Sequence, residues 1–228
     1  MDGLQVTEVR TPRGKPATFA TRPDTSDLAT VGATFDLWGN LVDEYRLRSQ
    51  RVAGVFVDVG AHIGTASIAV LLDNPQAYAI AVEPLPENVD MIHHNARLNG
   101  VADRLTVLAG AVGNGKPARI AYGEGNHRYI GNATKRGGVK VPTYTLAALL
   151  TEAAAVGAAS IALLKTDCEG GEWPLLTASA DDLAQVRSIV GEYHTSGPER
   201  LVELLDATHA LVTEPAGDGT GLFWAVAR

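Results

Sequence analysis

Val55 to Gly64 reads VFVDVGAHIG: apolar and β-branched residues run into an acid, then a glycine, three non-glycine residues and a second glycine. Such a run is a short buried strand that breaks at Gly60 and passes into a helix. That helix is IGTASIAVLLD, whose Ile63, Ser67, Val70 and Leu71 share one face. In open α/β sheets the first strand-to-helix turn commonly meets a ligand, just outside the carboxyl ends of the strands.

A dinucleotide is the first candidate, because glycine lets backbone amides approach a pyrophosphate. Two features oppose it. The fingerprint G-x-G-x-x-G needs three glycines, and between Gly60 and Gly64 stand Ala61, His62 and Ile63. Asp58 would also bring a carboxylate near a diphosphate, with no cation in the local sequence to neutralise it. A ligand bearing an ammonium and a sulfonium reverses that sign. S-adenosylmethionine has both, and its amino-acid end can meet an acid and exposed backbone amides together. Glu83 closes the next strand, where an acid can accept hydrogen bonds from both ribose hydroxyls. Because that second acid also suits NAD, an NAD-dependent oxidoreductase stands as the competing enzyme.

Outward from this turn, short apolar strands alternate with helices. AYAIAVE, RLTVLAGAV, KPARIAY, SIALLKTD and VRSIVGEYH read as strands. The segment from Pro86 to the Asn99-Gly100 stop, TLAALLTEAAA and PERLVELLDA read as helices. HALVTE and GLFWAVA, joined by PAGDGT, predict a terminal hairpin. The alternation predicts a mostly parallel sheet covered on both faces, with an antiparallel strand added at one edge. Residues 51–228 would form this domain, and 1–50 an N-terminal arm and helix packed on it. Within the latter, 11–27 read as an extended arm or loop. ATFDLWGNLVDEYRLRS then predicts a helix with Phe35, Trp38, Leu41, Val42 and Tyr45 on one face. Gly123 to Lys140 has no sustained period. With His127, Arg128, Lys135 and Arg136 it reads either as a lid over an acceptor or as a solvated insertion.

A chain of 228 residues can bury a substantial core as one domain. Its net charge of -7 argues against a nucleic-acid partner and for a small polar substrate. The start, MDGLQVTEVR, lacks the basic and apolar regions of a secretory signal, and no apolar run reaches the roughly 18 residues of a membrane span. The single cysteine, Cys168, excludes an intrachain disulfide and a multi-thiolate zinc site. The expectation is a cytoplasmic protein without membrane or nucleic-acid partners, compatible with a homo-oligomer.

VFVDVGAHIGTASIAV, AVEPLPENVDMIHHNARLNG and LLKTDCEGGEW followed by VGEYH resemble the FkbM family of S-adenosylmethionine-dependent methyltransferases. The resemblance implies a class I methyltransferase fold, Rossmann-like, with seven strands. It implies that Asp58, Gly60, Ala61 and Gly64 contact the methionine end, with His62 in the same turn where the family more often has an asparagine. It further implies that Glu83 holds the ribose, Pro84 shapes the exit from that strand, and Gly110 and Ala111 lie near the adenine. The acceptor it implies is a hydroxyl on a small polyhydroxylated molecule, a sugar or a glycosylated or polyketide-like natural product. A non-catalytic cofactor-binding module is the alternative from another class.

Methyl transfer from a sulfonium is an in-line displacement, so the protein's main task is alignment. A hydroxyl acceptor must also lose its proton, which calls for a base or a metal. TDCEGGE supplies Asp167 and Glu169, and VRSIVGEYH brings Glu192 and His194 to the same sheet edge. Asp167, Glu169 and His194 are the expected catalytic residues, and the same three a candidate Mg²⁺ site. Glu172, the third acid of TDCEGGE, reads equally as a functional acid or as a helix cap or packing residue. Cys168 reads as packing.

Overall fold

The computed structural model describes residues 3–35, 37, 43, 45–122, 131–132, 138–217 and 219–228. The chain opens with β1 (Gln5–Arg10), β2 (Pro16–Thr21) and helix α1 (Asp27–Phe35). There follow β3 (Val55–Val59), α2 (Thr65–Asp73), β4 (Tyr78–Glu83), α3 (Pro86–Leu98), β5 (Leu105–Ala109) and β6 (Ala111–Val112). Three short strands come next, β7 (Ala118–Tyr122), β8 (Gly131–Asn132) and β9 (Val139–Val141), then β10 (Thr143–Tyr144), α4 (Leu146–Ala155) and β11 (Ile161–Thr166). The last third contains α5 (Glu172–Leu176), α6 (Ala180–Leu183), β12 (Ser188–Tyr193), α7 (Pro198–Leu205), β13 (His209–Pro215) and β14 (Gly221–Ala227).

The main sheet has seven strands in the order β13-β14-β12-β11-β3-β4-β5. All pairings from β12 to β5 are parallel, while β14 runs antiparallel to both β12 and β13. The terminal hairpin is therefore present, but its antiparallel strand lies one place in from the edge. β13 itself forms the edge.

β3 sits at the centre and all five of its residues are buried. Alternation splits them between two cores. Val55, Val57 and Val59 pack with Leu149, Leu164 and Leu176, while Phe56 faces Phe19, Ile63 and Ile92 on the opposite layer. From β3 the chain adds β4 and β5 on one side, and later β11 and β12 on the other. Strand order thus reverses between β3 and β11, and the crevice at their carboxyl ends is the place where such sheets take ligands.

The N-terminal segment differs from its sequence reading. Residues 16–21, expected within an arm or loop, are a strand paired with β1 over their whole length. Asparagines of α3 satisfy the outer edge of that strand. Asn95 accepts from Ala20 N at 2.9 Å, and Asn99 accepts from Thr18 N at 2.9 Å and donates to Thr18 O at 2.7 Å. The helix expected from residue 33 begins earlier, at Asp27 after the Thr25-Ser26 start signal, and ends at Phe35. Tyr45 lies in a turn, and Trp38, Leu41 and Val42 fall outside the described residues. So do His127, Arg128, Lys135 and Arg136 of the glycine-rich segment. No helix among the described residues is long and apolar enough to cross a membrane.

Candidate active site

A cavity of about 820 Å³ opens at the carboxyl ends of β3, β4 and β11, in the volume range of small-molecule sites. Gly60, Ala61, His62, Glu83, Pro84, Gly110 and Ala111 line it. Asp167, Cys168 and Glu169 also line it, with Ser26 just before α1 and Ala29 and Thr30 of α1. Of the residues expected to do chemistry, Asp167 and Glu169 thus share one space with those expected to hold the cofactor, while His194 is not among the lining residues and lies behind Glu169.

Asp58 and Gly64 stand behind the cavity wall. Asp58 is fully buried: one carboxylate oxygen accepts from Ser67 N at 3.1 Å and Ser67 Oγ at 2.7 Å, while the other lies 3.0 Å from Lys165 Nζ. The cation absent from the local sequence arrives from β11. Burial lowers the Lys165 pKa, but the charges of Asp58 and Asp167 outweigh it and hold the ammonium above its ordinary value. Asp58 thus meets a lysine in place of a ligand ammonium, which corrects the charge argument made from the turn alone.

The turn's amides are likewise internal. Gly60 N and Ala61 N both donate to Val82 O, at 3.0 and 3.2 Å, and His62 N donates to Glu83 Oε2 at 2.9 Å. The exposed amides expected there are bonded to β4. Gly60 is glycine for a steric reason, because its φ is 75° and a Cβ would fall 1.9 Å from Asp167 O. The turns after β3 and β11 close on one another at that point. Gly110 is similarly confined, a Cβ there meeting Pro142 O at 2.7 Å.

Glu83 accepts from Leu85 N at 3.0 Å and Asn88 Nδ2 at 3.1 Å as well as from His62 N. A carboxylate has about four acceptor positions, so one is left for a ribose hydroxyl where two hydrogen bonds were expected. Burial lifts its pKa, against these hydrogen bonds and the Lys165 charge, to about 7. His62 has a φ of 52°, and its Nε2 lies 3.5 Å from Asp27 Oδ1 and 3.3 Å from Ser26 Oγ. Burial pushes it down to about 4, against the Asp27 charge, so this imidazole is neutral at physiological pH.

Beside the turn after β3, Asp167 follows β11 and its backbone N donates to Val59 O at 3.2 Å. Its carboxylate accepts from Tyr45 Oη at 2.6 Å. Among the described residues, the group able to ligate a metal is Asp167, Glu192 and His194, with ligand atoms within 4.8 Å of one another. Glu192 takes the place expected for Glu169. Glu169 Oε2 lies 4.0 Å from His194 Nε2, but the residue is 44% exposed and turned to the rim. Glu172 is buried and structural: it accepts from Gly170 N at 2.9 Å and His194 N at 2.7 Å, tying the turns after β11 and β12 together. It also meets His194 Nδ1 at 3.2 Å. Burial lowers the His194 pKa, but the hydrogen bond to Glu172 and the charges of Glu172, Glu192 and Glu169 lift it to about 9. Such an imidazole is protonated at neutral pH, which opposes the role of base expected of it. Cys168 packs in the apolar layer, and burial and the nearby acids raise its thiol far above the reactive range.

A model of the FkbM methyltransferase domain matches residues 58–214. The chain belongs to the FkbM methyltransferase family. It is therefore an S-adenosylmethionine-dependent methyltransferase, which sets aside the NAD reading. No curated protein matches it. Solved structures share the fold. M. capricolum TrmK with S-adenosyl-homocysteine has a TM-score of 0.51 at 9% identity, covering 82% of this chain and 68% of that one. An uncharacterized protein from Listeria monocytogenes gives 0.51 at 14% identity, covering 82% and 68%. A protein in the NADB-Rossmann superfamily from Streptococcus agalactiae gives 0.50 at 15%, covering 82% and 69%. In this FkbM methyltransferase, sequence reasoning missed Lys165 and Tyr45. The signal for the first was a lysine interrupting the apolar run SIALLKTD. Tyr45 precedes the matched residues and carries no motif of its own.

Proposed function

We propose that this methyltransferase transfers a methyl group to a hydroxyl of a small polyhydroxylated acceptor, a sugar or a glycosylated or polyketide-like natural product, with Mg²⁺ assisting. The carrying observation is the cluster of Asp167, Glu192 and His194 beside the turn after β3. Two carboxylates and an imidazole suit a divalent cation that keeps several waters. His194 has the orientation of a ligand histidine, with Nδ1 on the Glu172 carboxylate and Nε2 3.9 Å from Glu192, and a cation would displace the proton that these acids hold on Nε2. A cation there would lower the pKa of an acceptor hydroxyl.

The remaining work falls to this chain's own groups. Glu172 holds His194 in place, and Glu83 with Pro84 and Ala111 offers the surface for ribose and adenine. The cavity walls align the hydroxyl with the methyl group for in-line displacement. The net charge of -7 supports a small acceptor over a nucleic acid, and a cytoplasmic location goes with this reading.

A labelled methyl-transfer assay over sugars and glycosides, run with and without chelator, tests the proposal. Turnover is expected on at least one polyol, lost in excess chelator and restored by Mg²⁺. Full activity in chelator would remove the metal. Binding of S-adenosyl-homocysteine without turnover on any acceptor would leave a cofactor-binding module. Asp167→Ala is expected to abolish transfer while cofactor affinity stays within a few-fold, so unchanged turnover would take Asp167 out of the site.

A further inference from the structure

Tyr45 is supplied by the segment before the matched residues 58–214, yet it lines the cavity and touches its chemistry at both ends of its ring. The hydroxyl donates to Asp167 Oδ2 at 2.6 Å, within the short range of a charge-assisted O–H···O⁻ bond. Among the described residues no other side chain hydrogen-bonds that carboxylate. The ring lies 5.0 Å from Lys165 Nζ, in cation–π range. That ammonium is itself fixed by Asp58 Oδ1 at 3.0 Å and Gly60 O at 3.2 Å.

We propose that Tyr45 is a positioning residue: braced by Lys165, its hydroxyl sets the rotamer of Asp167 and so leaves the other carboxylate oxygen facing the acceptor. The inference rests on Asp167 acting in methyl transfer. A carboxylate at the end of a strand can rotate about two bonds, and the hydrogen bond removes that freedom before the acceptor arrives. Misplacement of a reacting group by about 1 Å can cost on the order of 100-fold in rate. Because Tyr45 comes from the N-terminal segment, the acid in the matched region is set in place only once that segment has packed.

Tyr45→Phe removes the hydroxyl and keeps the ring over Lys165. Its melting temperature and its affinity for S-adenosyl-homocysteine are expected to match the wild type, with KM for the acceptor within about twofold and kcat lower by about 10- to 100-fold. In an Asp167→Asn background the same change is expected to cost nothing further, as two residues acting through one contact are non-additive. A crystal structure of Tyr45→Phe should show the Asp167 carboxylate rotated on an unmoved backbone. Unchanged kcat, or an unmoved Asp167 in that crystal structure, overturns the proposal. The crystallographic outcome stands even if no acceptor in the panel is methylated, so failure of the functional reading and failure of this one are told apart.

Discussion

Glu83 is the group at the cofactor end of the cavity whose charge changes near neutral pH. Its burial lifts it to about 7, so at that pH about half the molecules carry a neutral acid there. A ribose hydroxyl that donates to the free acceptor position favours the carboxylate over the acid. Cofactor affinity is therefore expected to rise from pH 6 to pH 8, by up to about tenfold per unit below 7, with proton release on binding. Calorimetry with S-adenosyl-homocysteine in buffers of different ionisation enthalpy checks this. A flat affinity would take the ribose away from Glu83, and Glu83→Gln should lose the dependence. His62, near 4, stays neutral over that range and His194, near 9, stays largely protonated, so neither supplies the dependence. For the unliganded protein the sign is opposite. The stability Glu83 contributes is complete below its unfolded value near 4.5 and is lost as pH rises through about 7. At this scale the sequence made Asp58 and Glu83 visible as acids at strand ends, but not their partners. Nothing local shows that Lys165 will meet Asp58, because that pairing depends on β11 lying beside β3 in register Lys165 to Asp58.

Among the elements, the N-terminal hairpin and α1 are bound to the cofactor end by one polar chain. Arg22 Nη2 lies 2.7 Å from Asp27 Oδ1 and donates to Asn88 Oδ1 at 2.6 Å, and Asn88 donates to Glu83. Asp27 is fully buried, and although burial raises its pKa, the hydrogen bonds from Arg22 outweigh that and hold it low. Removing one partner of a buried pair leaves the other charge uncompensated, at about 3–5 kcal/mol. Asp27→Ala is expected to lower the melting temperature by roughly 6–20 °C for a chain of this size. Scanning fluorimetry measures it, and a shift under about 2 °C would mean that water replaces the pair at no cost. These elements were the least legible in the sequence. QVTEVR and PATFAT are each six residues long, and Pro, Thr and charge between them masked the alternation. The edge of β2 is completed by Asn95 and Asn99 from α3, a contact no local pattern announces. By contrast, β3, β4 and β11 are predominantly apolar runs, broken in β3 only by Asp58 and in β11 only by Lys165 and Thr166, and they were readable for the same reason that they are buried on both faces.

Across the whole molecule, the cavity lies at the reversal of strand order, and Ala29, Thr30, Thr34, Asp43, Tyr45 and Leu47 line it together with the turns of the sheet. β2 and α1 also belong to the core. Phe19, Val31 and Phe35 join Phe56, Ile63 and Ile92 in one hydrophobic cluster, with Phe19 and Val31 wholly buried. Each such side chain contributes about 1.5–3 kcal/mol on burial. Together with the Arg22–Asp27 pair, their loss approaches the roughly 5–15 kcal/mol by which a domain is stable at all. The chain 51–228 is therefore expected not to fold as an independent domain, even though it contains the whole of the matched region. Full-length protein should melt in a single calorimetric transition with equal calorimetric and van't Hoff enthalpies. The truncated chain should bind a hydrophobic dye and lack near-ultraviolet circular dichroism, the signature of a sheet without fixed packing. Two separate transitions in the full-length protein, or native-like dichroism and cofactor binding by 51–228, would show instead that the N-terminal segment is an accessory laid over a self-sufficient domain. Tyr45 would then act on a site already formed without it.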